Sequence, residues 1–489
     1  MLALSLRRIN PAVFGAVGSV LLAVLLAGPV CAQQVQDRPN VLIMIADDVT
    51  YSDLSLYGGE NVETPNIDQL ARQGLVFDHA YQSMSMCVPT RSELYTGQYP
   101  TTNGSAWNKV PSPVRPGTES IVRHFREMGY HVGVAGKKNV FPQGAFPFER
   151  IPGVQGSSIA RTADYDPDSM RAFMARDDGE PFVLAVGFNS AHRPWTVGDP
   201  SHFDPEELDL PPYLVDTPET REHMTRYLAE IEVLDRQVGR TIDLLDEVGK
   251  RDDTLVLFTS EQGAEFPGAK WTLWEQGVRT AMVARWPGYV PRRARTNALV
   301  HYVDVLPTLV EAVGGNPEAY NFDGHSFADV LTGQSDGHRD YAYSMHNNVP
   351  EGPPYPIRAV TDGEYRYIQN LMPQSTFLLK WMLGEGPNYP TGYWSSWMFA
   401  ATQREAANDL VQRYLRRPPV ELYHTAEDPH QLNNLAGNPA YDSVKTRLRR
   451  ALEDWQRRQD DPGTALDSRE AMRERREATQ LWQEGKGRP

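Results

Sequence analysis

Four short apolar runs punctuate the first half of the chain: "NVLIMIA" from Asn40 to Ala46, "HVGVAG" from His131 to Gly136, "PFVLAVGF" from Pro181 to Phe188 and "TLVLFTS" from Thr254 to Ser260. Each has the length of one strand and little alternation, as a strand buried on both faces requires. Between them, "TPNIDQLARQG" and "TRYLAEIEVLDRQVGRTIDLLDEVG" repeat apolar positions at helical spacing, and the second stops at Gly249. Strands alternating with helices predict an α/β fold, a mainly parallel sheet flanked by helices. Further on, "HYVDVLPTLVEAVGG" reads as a closing helix, and "PIRAVTDGEYRYIQNL" alternates as an antiparallel hairpin does. The expected layout is a large α/β domain over 33–340, a smaller C-terminal α+β domain with an antiparallel sheet over 341–465, and a charged, solvated helical tail over 466–489.

The residues just beyond each run matter more than the runs themselves. The first leads into Asp47-Asp48, the second into Lys137-Lys138, the third into "NSAHRPW" with His192, and the fourth into Glu261-Gln262. Charged residues often end strands, so any one of these has a dull explanation. Open α/β sheets, however, bind ligands at the carboxyl ends of their strands, and four such ends share one edge. Asp47, Asp48, Glu261 and Gln262 are hard oxygen donors that suit calcium or magnesium.

The N-terminus has the three parts of a secretory leader: Arg7 and Arg8, an apolar run from Val13 to Ala27, then Gly28-Pro29 and the small pair Val30 and Ala32. A signal peptide over 1–32, cut after Ala32, is expected, with a periplasmic or secreted product. An uncleaved anchor is the rival, but the run is short for a span and is broken at Gly28-Pro29. A lipid anchor on Cys31 has a poor lead-in. No other segment is long and apolar enough for a stable membrane span. The 489 residues are 40% hydrophobic and 23% charged, ordinary for a folded protein. The formal charge of −15 becomes −17 once Arg7 and Arg8 leave, which argues against nucleic acid as a partner. An anionic substrate must then be captured by a local cluster of cations.

With Cys31 gone, Cys87 is the single cysteine of an exported protein, an environment that usually pairs its thiols. It is either an inert core residue or a reactive one. Pro89 fits the first turn of a helix that stops at Gly97, which puts Cys87 at a helix N-terminus with Arg91 one turn in. That setting favours a thiolate nucleophile. Soft sulfur beside hard oxygen donors is nevertheless chemically odd.

The segment "CVPTRSELYTG" closely resembles the signature of the sulfatase family, a cysteine followed by x-Pro-Ser/Thr-Arg and later Leu-x-Thr-Gly. The resemblance extends through "NVLIMIADDVTYSDLSLYGG", "TPNIDQLARQGLVFDHAY", "DGHSFADVLTG" and "ELYHTAEDPHQLNNLA", almost the whole mature chain. Within the family, "GKKNVFP", "FNSAHRPW", "YPIRAV" and "VELYHTAEDP" lean toward heparan N-sulfatases, or sulfamidases. The resemblance implies an alkaline-phosphatase-like α/β catalytic domain with a smaller C-terminal domain. It also implies that Cys87 is oxidised to formylglycine by a formylglycine-generating maturation enzyme. Asp47, Asp48, Glu261 and Gln262 would hold one calcium ion per chain together with residue 87. Arg91 and Lys137 would support the aldehyde hydrate and the sulfate, and Lys270 and His192 would contact sulfate and the leaving atom, with His192 as general acid. One hydroxyl of the hydrate attacks sulfur and expels the alcohol or amine. The other then loses its proton, and the hemiacetal collapses to release sulfate.

Two departures from the family pattern stand out. Glu261-Gln262 replaces the usual Asp followed by Asn or His, one methylene longer at each position but still oxygen donors. Asn139 stands where the family commonly has a histidine that helps the collapse; an amide cannot take a proton, so another group must do so or turnover suffers. His301, after the run "ALVHYVDV", reads as structural. Tyr389, Tyr393, Trp394 and Trp397 read either as a face for sugar rings or as packing between domains. The implied substrate is a sulfated saccharide with a glucosamine N-sulfate in the lead. The rivals are a phosphodiester or phosphonate monoester hydrolase of the same superfamily, and a glycan-binding, inactive sulfatase homologue.

Overall fold

A strand buried on both faces divides its side chains between two cores, and strand β1 (Asn40–Ala46) does so residue by residue. Leu42, Met44 and Ala46 enter one apolar cluster, while Val41, Ile43 and Ile45 enter the other. In the computed structural model, which describes residues 38–108, 112–156, 165–383 and 392–483, eight further strands join β1 in one sheet. They are β2 (Leu75–Tyr81), β3 (His131–Gly136), β4 (Glu149–Ile151), β5 (Phe182–Gly187), β6 (Thr254–Ser260), β7 (Arg279–Thr280), β8 (Met282–Arg285) and β9 (Ala294–His301). Their order is β4-β3-β5-β1-β6-β8-β2-β7, with β9 beside β2. The strands from β4 to β6 run parallel, and Ile43 of β1 pairs with Ala185 on one side and Leu257 on the other. Beyond β6 the sheet turns mixed, because β8 runs antiparallel to both β6 and β2.

All four strands expected from the apolar runs are present, and the sheet is mainly parallel with helices on both faces. The long helix Pro218–Glu247 covers one face through Leu228, Ile231, Leu234 and Leu245. Its start is capped by the Thr217 side chain, which accepts from Thr220 N, and Gly249 at φ 66° ends it. The helix Val305–Ala312 covers the opposite face. Three of the remaining strands carry no clear signal in the sequence. Asp78 and His79 interrupt β2, β8 has only four residues, and the first half of β9 is partly exposed.

A second, antiparallel sheet comes next, with β10 (Ala342–His346), β11 (Ile357–Thr361), β12 (Tyr365–Asn370) and β13 (Val420–His424) in sequence order. The expected hairpin is β11–β12, where Thr361 pairs with Arg366 and Gly363 takes φ 90° in the turn. The edge strand β10 meets the large sheet's loops: Met345 N donates to Ser83 O at 2.8 Å, and Ser344 Oγ to Gln82 O at 3.0 Å. A buried Arg366–Glu275 ion pair at 2.7 Å adds a second tie.

The helix Arg469–Gln483 is amphipathic, not solvated all round: Ala471 and Met472 join a small cluster with Trp107, and the Arg475 guanidinium sits 3.6 Å above the Trp107 ring. The leader and its cut after Ala32 lie outside the described residues, as does Tyr389. No described helix is long and apolar enough to cross a membrane.

His346, at the end of β10, is fully buried. Burial pushes its pKa from 6.5 down to about 3; a contact with Asn348 opposes this, and the Arg417 and Arg358 charges assist it. The native ring stays neutral where the unfolded chain's ring takes up a proton. Its contribution is therefore whole above pH 6.5 and is lost as the pH falls from there toward 3, by about 1.4 kcal/mol per pH unit. Urea denaturation at pH 7.5 and 5 is expected to show a smaller loss of stability for His346→Asn than for the wild type. Equal losses would contradict this account of the ring.

Candidate active site

Adjacent strands β3, β5, β1 and β6 end side by side, so the residues beyond their ends converge. Asp47 and Asp48 follow β1, Lys137 follows β3, His192 lies five residues beyond β5, and Glu261 and Gln262 follow β6. Cys87 opens the helix Cys87–Thr96, which ends at Gly97 with φ 65°, and all ten of its residues are buried. The structure brings all nine sequence-predicted site residues into one group. Asp47, Asp48, Cys87 and Glu261 each offer a ligand atom, and these atoms lie within 4.8 Å of one another. Lys137 Nζ donates to Asp47 at 2.5 Å, and Lys270 Nζ to Asp48 at 2.6 Å. Arg91 is paired with Glu261, and its Nη1 donates to Lys137 O at 2.6 Å. His192 Nε2 stands 3.6 Å from Asp48 Oδ2.

The backbone is bent to permit this convergence. Asp48, Asn139, Ala191 and Trp271 have φ of 56°, 48°, 78° and 70°, a left-handed conformation unusual outside glycine, and all four belong to the loops that supply the site. At Gly187, the last residue of β5, a Cβ would meet Lys137 O at 2.2 Å and Arg91 Nη1 at 2.7 Å, so only glycine leaves room for that hydrogen bond. The segment entering the Cys87 helix is clamped by the helix itself. Glu93 accepts from Ser83 N at 3.0 Å and Ser83 Oγ at 2.6 Å, and Thr90 Oγ1 donates to Met84 O at 2.6 Å. His301 supports Glu93 from behind: its Nδ1 lies 3.1 Å from that carboxylate and its Nε2 3.0 Å from Tyr343 O.

Electrostatics corrects the thiolate reading. Burial pushes the Cys87 thiol well above its ordinary pKa and outweighs the Lys137 and Lys270 charges. The Arg91 guanidinium is engaged by Glu261 and Lys137 O. Burial also works against Asp47 as an anion, yet Lys137 and then His192 hold it far below the usual carboxylate range. Glu261 goes the other way: burial raises it, Arg91 opposes, and neighbouring Asp47 raises it further. Burial takes His192 down to about 4 despite Asp48 beside it. Its Nδ1 faces Arg193 O, which leaves Nε2 as the nitrogen directed toward Asp48.

These residues fit a divalent cation. Three carboxylates crowd one buried point, and Gln262 turns its amide nitrogen into them, 2.6 Å from Asp48 Oδ1, 3.0 Å from Cys87 Sγ and 3.2 Å from Glu261 Oε2. Gln262 Oε1 is buried without a hydrogen-bond partner, while Glu261 Oε1 is held by the Arg91 guanidinium. The amide nitrogen fills the place of a positive charge. A half-turn would present the oxygen instead, and hard oxygen donors on flexible side chains are what calcium accepts.

Sequence reasoning missed Glu265 and Arg193. Both are buried beside the group, on loops without periodicity, and Arg193 is enclosed by the rings of Trp195, Trp381 and Tyr393 at 5.3–5.9 Å. The aromatic cluster around Tyr393 resolves as packing among its described members. Tyr393, Trp394 and Trp397 are buried, Trp397 Nε1 donates to Thr220 Oγ1 at 2.7 Å, and Tyr393 OH to Glu265 O at 2.9 Å.

The model of the sulfatase family matches residues 39–315, and that of the N-sulphoglucosamine sulphohydrolase C-terminal region matches 268–381. An ulvan-active sulfatase of Formosa agariphila is 30% identical, over 87% of this chain and 82% of its own. The N-sulphoglucosamine sulphohydrolase of Homo sapiens is 25% identical, over 87% of this chain and 91% of its own. Among solved structures, a protein in complex with its substrate D-glucosamine-2-N,6-O-disulfate superposes with a TM-score of 0.66 at 19% identity, covering 87% of this chain and 99% of that one. The phosphonate monoester hydrolase of Agrobacterium radiobacter gives 0.65 at 20% identity, covering 86% and 96%.

Substituting Gly187→Ala is expected to cost about 2–4 kcal/mol in chemical denaturation, because the obstructing Lys137 oxygen belongs to the backbone and cannot withdraw. Gly144→Ala, where nothing lies within 4 Å of the added carbon, serves as the silent control. Equal midpoints for the two variants would contradict the close approach at β5.

Proposed function

The chain belongs to the sulfatase family, and from that premise we propose that it hydrolyses a sulfated glycan, with the sulfamate of N-sulfoglucosamine as its substrate and residue 87 as the seat of the nucleophile. The observation that carries this reading is the buried meeting of Asp47, Asp48, Glu261 and Gln262 with Cys87 under the ammonium groups of Lys137 and Lys270. The C-terminal match and the human relative support the N-sulfate assignment.

In this reading Asp47, Asp48, Glu261, Gln262 and residue 87 hold calcium, which when bound draws charge from a sulfate oxygen and lowers the barrier to attack. Formylglycine at residue 87, as its hydrate, supplies oxygen in place of a thiol that burial keeps protonated. Lys137 and Lys270 each use one donor on a carboxylate and keep others for sulfate oxygens, which supplies the local cations an acidic chain needs. Arg91, locked between Glu261 and Lys137 O, holds the Lys137 backbone in place. His192, anchored through Nδ1, handles the proton of the leaving atom at Nε2. Burial of the group, with only His192 partly exposed, excludes competing water. Asn139 cannot accept a proton, so release of sulfate falls to another group.

The same reading includes an exported enzyme with a leader over 1–32, a catalytic domain over 33–340, a smaller domain over 341–465 and a tail over 466–489. Its partners are a formylglycine-generating enzyme and the sulfated saccharide. A second reading, phosphonate monoester hydrolysis, is favoured by the likeness to the Agrobacterium enzyme.

A single screen decides between them, run on protein whose residue-87 peptide has lost sulfur and two hydrogens and gained one oxygen. Sulfate release is expected from N-sulfoglucosamine in preference to O-sulfated sugars, with phosphonate monoesters turned over more slowly. Release from O-sulfates alone would sink the N-sulfate assignment, and preference for the phosphonate would favour the second reading. Saccharide retention without any turnover would indicate a glycan-binding homologue.

A further inference from the structure

Among the described residues, Glu265 is the one acidic side chain around the site whose carboxylate accepts no hydrogen bond. It is 1% exposed, and neither of its oxygens has a hydrogen-bond partner. Its oxygen, one from Asp48 and a nitrogen of His192 lie within 4.8 Å of one another. Neighbouring buried carboxylates are all engaged: Asp47 by Lys137, Asp48 by Lys270 and Gln262, and Glu230 by the N–H groups of Thr196 and Val197 at 2.8 and 2.9 Å. The nearest ion-pair cation, Lys270 Nζ, is 3.6 Å from Glu265 Oε2 and is already held 2.6 Å from Asp48. The backbone of Glu265 is fixed by Tyr393, whose hydroxyl donates to its carbonyl at 2.9 Å. A buried carboxylate without donors costs several kcal/mol, a cost that a substrate bringing a donor offsets.

The chemistry of the leaving group says which donor. Hydrolysis of a sulfamate, R–NH–SO3⁻ + H2O → R–NH3⁺ + SO4²⁻, breaks S–N, forms S–O and leaves both water protons on nitrogen, so the organic product is a cation. Hydrolysis of a sulfate ester leaves a neutral alcohol and releases a proton. A hydroxyl is satisfied by a neutral acceptor, whereas an ammonium group matches a carboxylate beside the histidine at the leaving atom. Resting on the sulfatase reading of this site, we propose that Glu265 reads the leaving group, receiving the nitrogen freed from sulfur and so selecting amino-sugar sulfamates over sugar sulfate esters.

Calorimetric titration of the full chain with glucosamine and with glucose at neutral pH tests this, on the wild type, Glu265→Gln and Glu265→Asp. The wild type is expected to favour glucosamine by about 10- to 100-fold, Gln to abolish the preference and Asp to keep part of it. No preference in the wild type, or the same preference in Gln, overturns the proposal; the latter leaves Glu265 as a counter-charge that positions Lys270. Should Gln fail to fold, wild-type affinity for glucosamine against N-acetylglucosamine, whose nitrogen is neutral, decides in the same way. Sulfate release from N-sulfoglucosamine by the wild type is measured alongside. Its absence overturns the functional reading and leaves the affinity ratio to stand or fall alone.

Discussion

Two neighbouring strands deliver three carboxylates to a single buried point, and the rest of the site is arranged around the cost of that crowding. Asp47 and Asp48 come from the end of β1 and Glu261 from the end of β6, strands paired in register from Asn40 to Ala46. Left alone, such a group would protonate or expand. Here Lys137 arrives from β3, Arg91 from the Cys87 helix and Lys270 from the loop after β6, each against a different carboxylate. The sheet order makes this possible, since it sets β3, β5, β1 and β6 side by side in parallel.

The backbone carries part of the load. Four non-glycine residues in the contributing loops adopt left-handed φ, and Gly187 gives up its side chain so that Arg91 can reach the Lys137 carbonyl. Such local strain persists only where packing over-determines it. The Cys87 helix has no exposed face, and its entry segment is tied to Glu93 and, through Ser83 O, to the second sheet. The C-terminal sheet therefore takes part in positioning residue 87 as well as in closing the fold.

Much of this is written locally in the chain. The four central strands declare themselves because both faces are buried, and the site residues sit where those strands end. Strands β2, β8 and β9 escape notice because each is short, interrupted or half exposed, and only the sheet context makes them strands. The character of Cys87 is hidden for a related reason. A helix N-terminus and a nearby arginine are visible in sequence, but burial is not, and burial dominates the thiol. Glu265 and Arg193 come from loops, where no period marks a side chain as inward. Tyr393 and Trp397 have the composition of a sugar platform and the burial of a core.

The central claim is that the crowded carboxylates exist for a divalent ion. Calorimetric titration of the metal-free chain with calcium, repeated on Glu261→Ala and Asp47→Asn, tests it most directly. The account predicts one ion per wild-type chain, with binding lost or greatly weakened in both variants. Failure of the wild type to bind, or unchanged binding in the two variants, would contradict it.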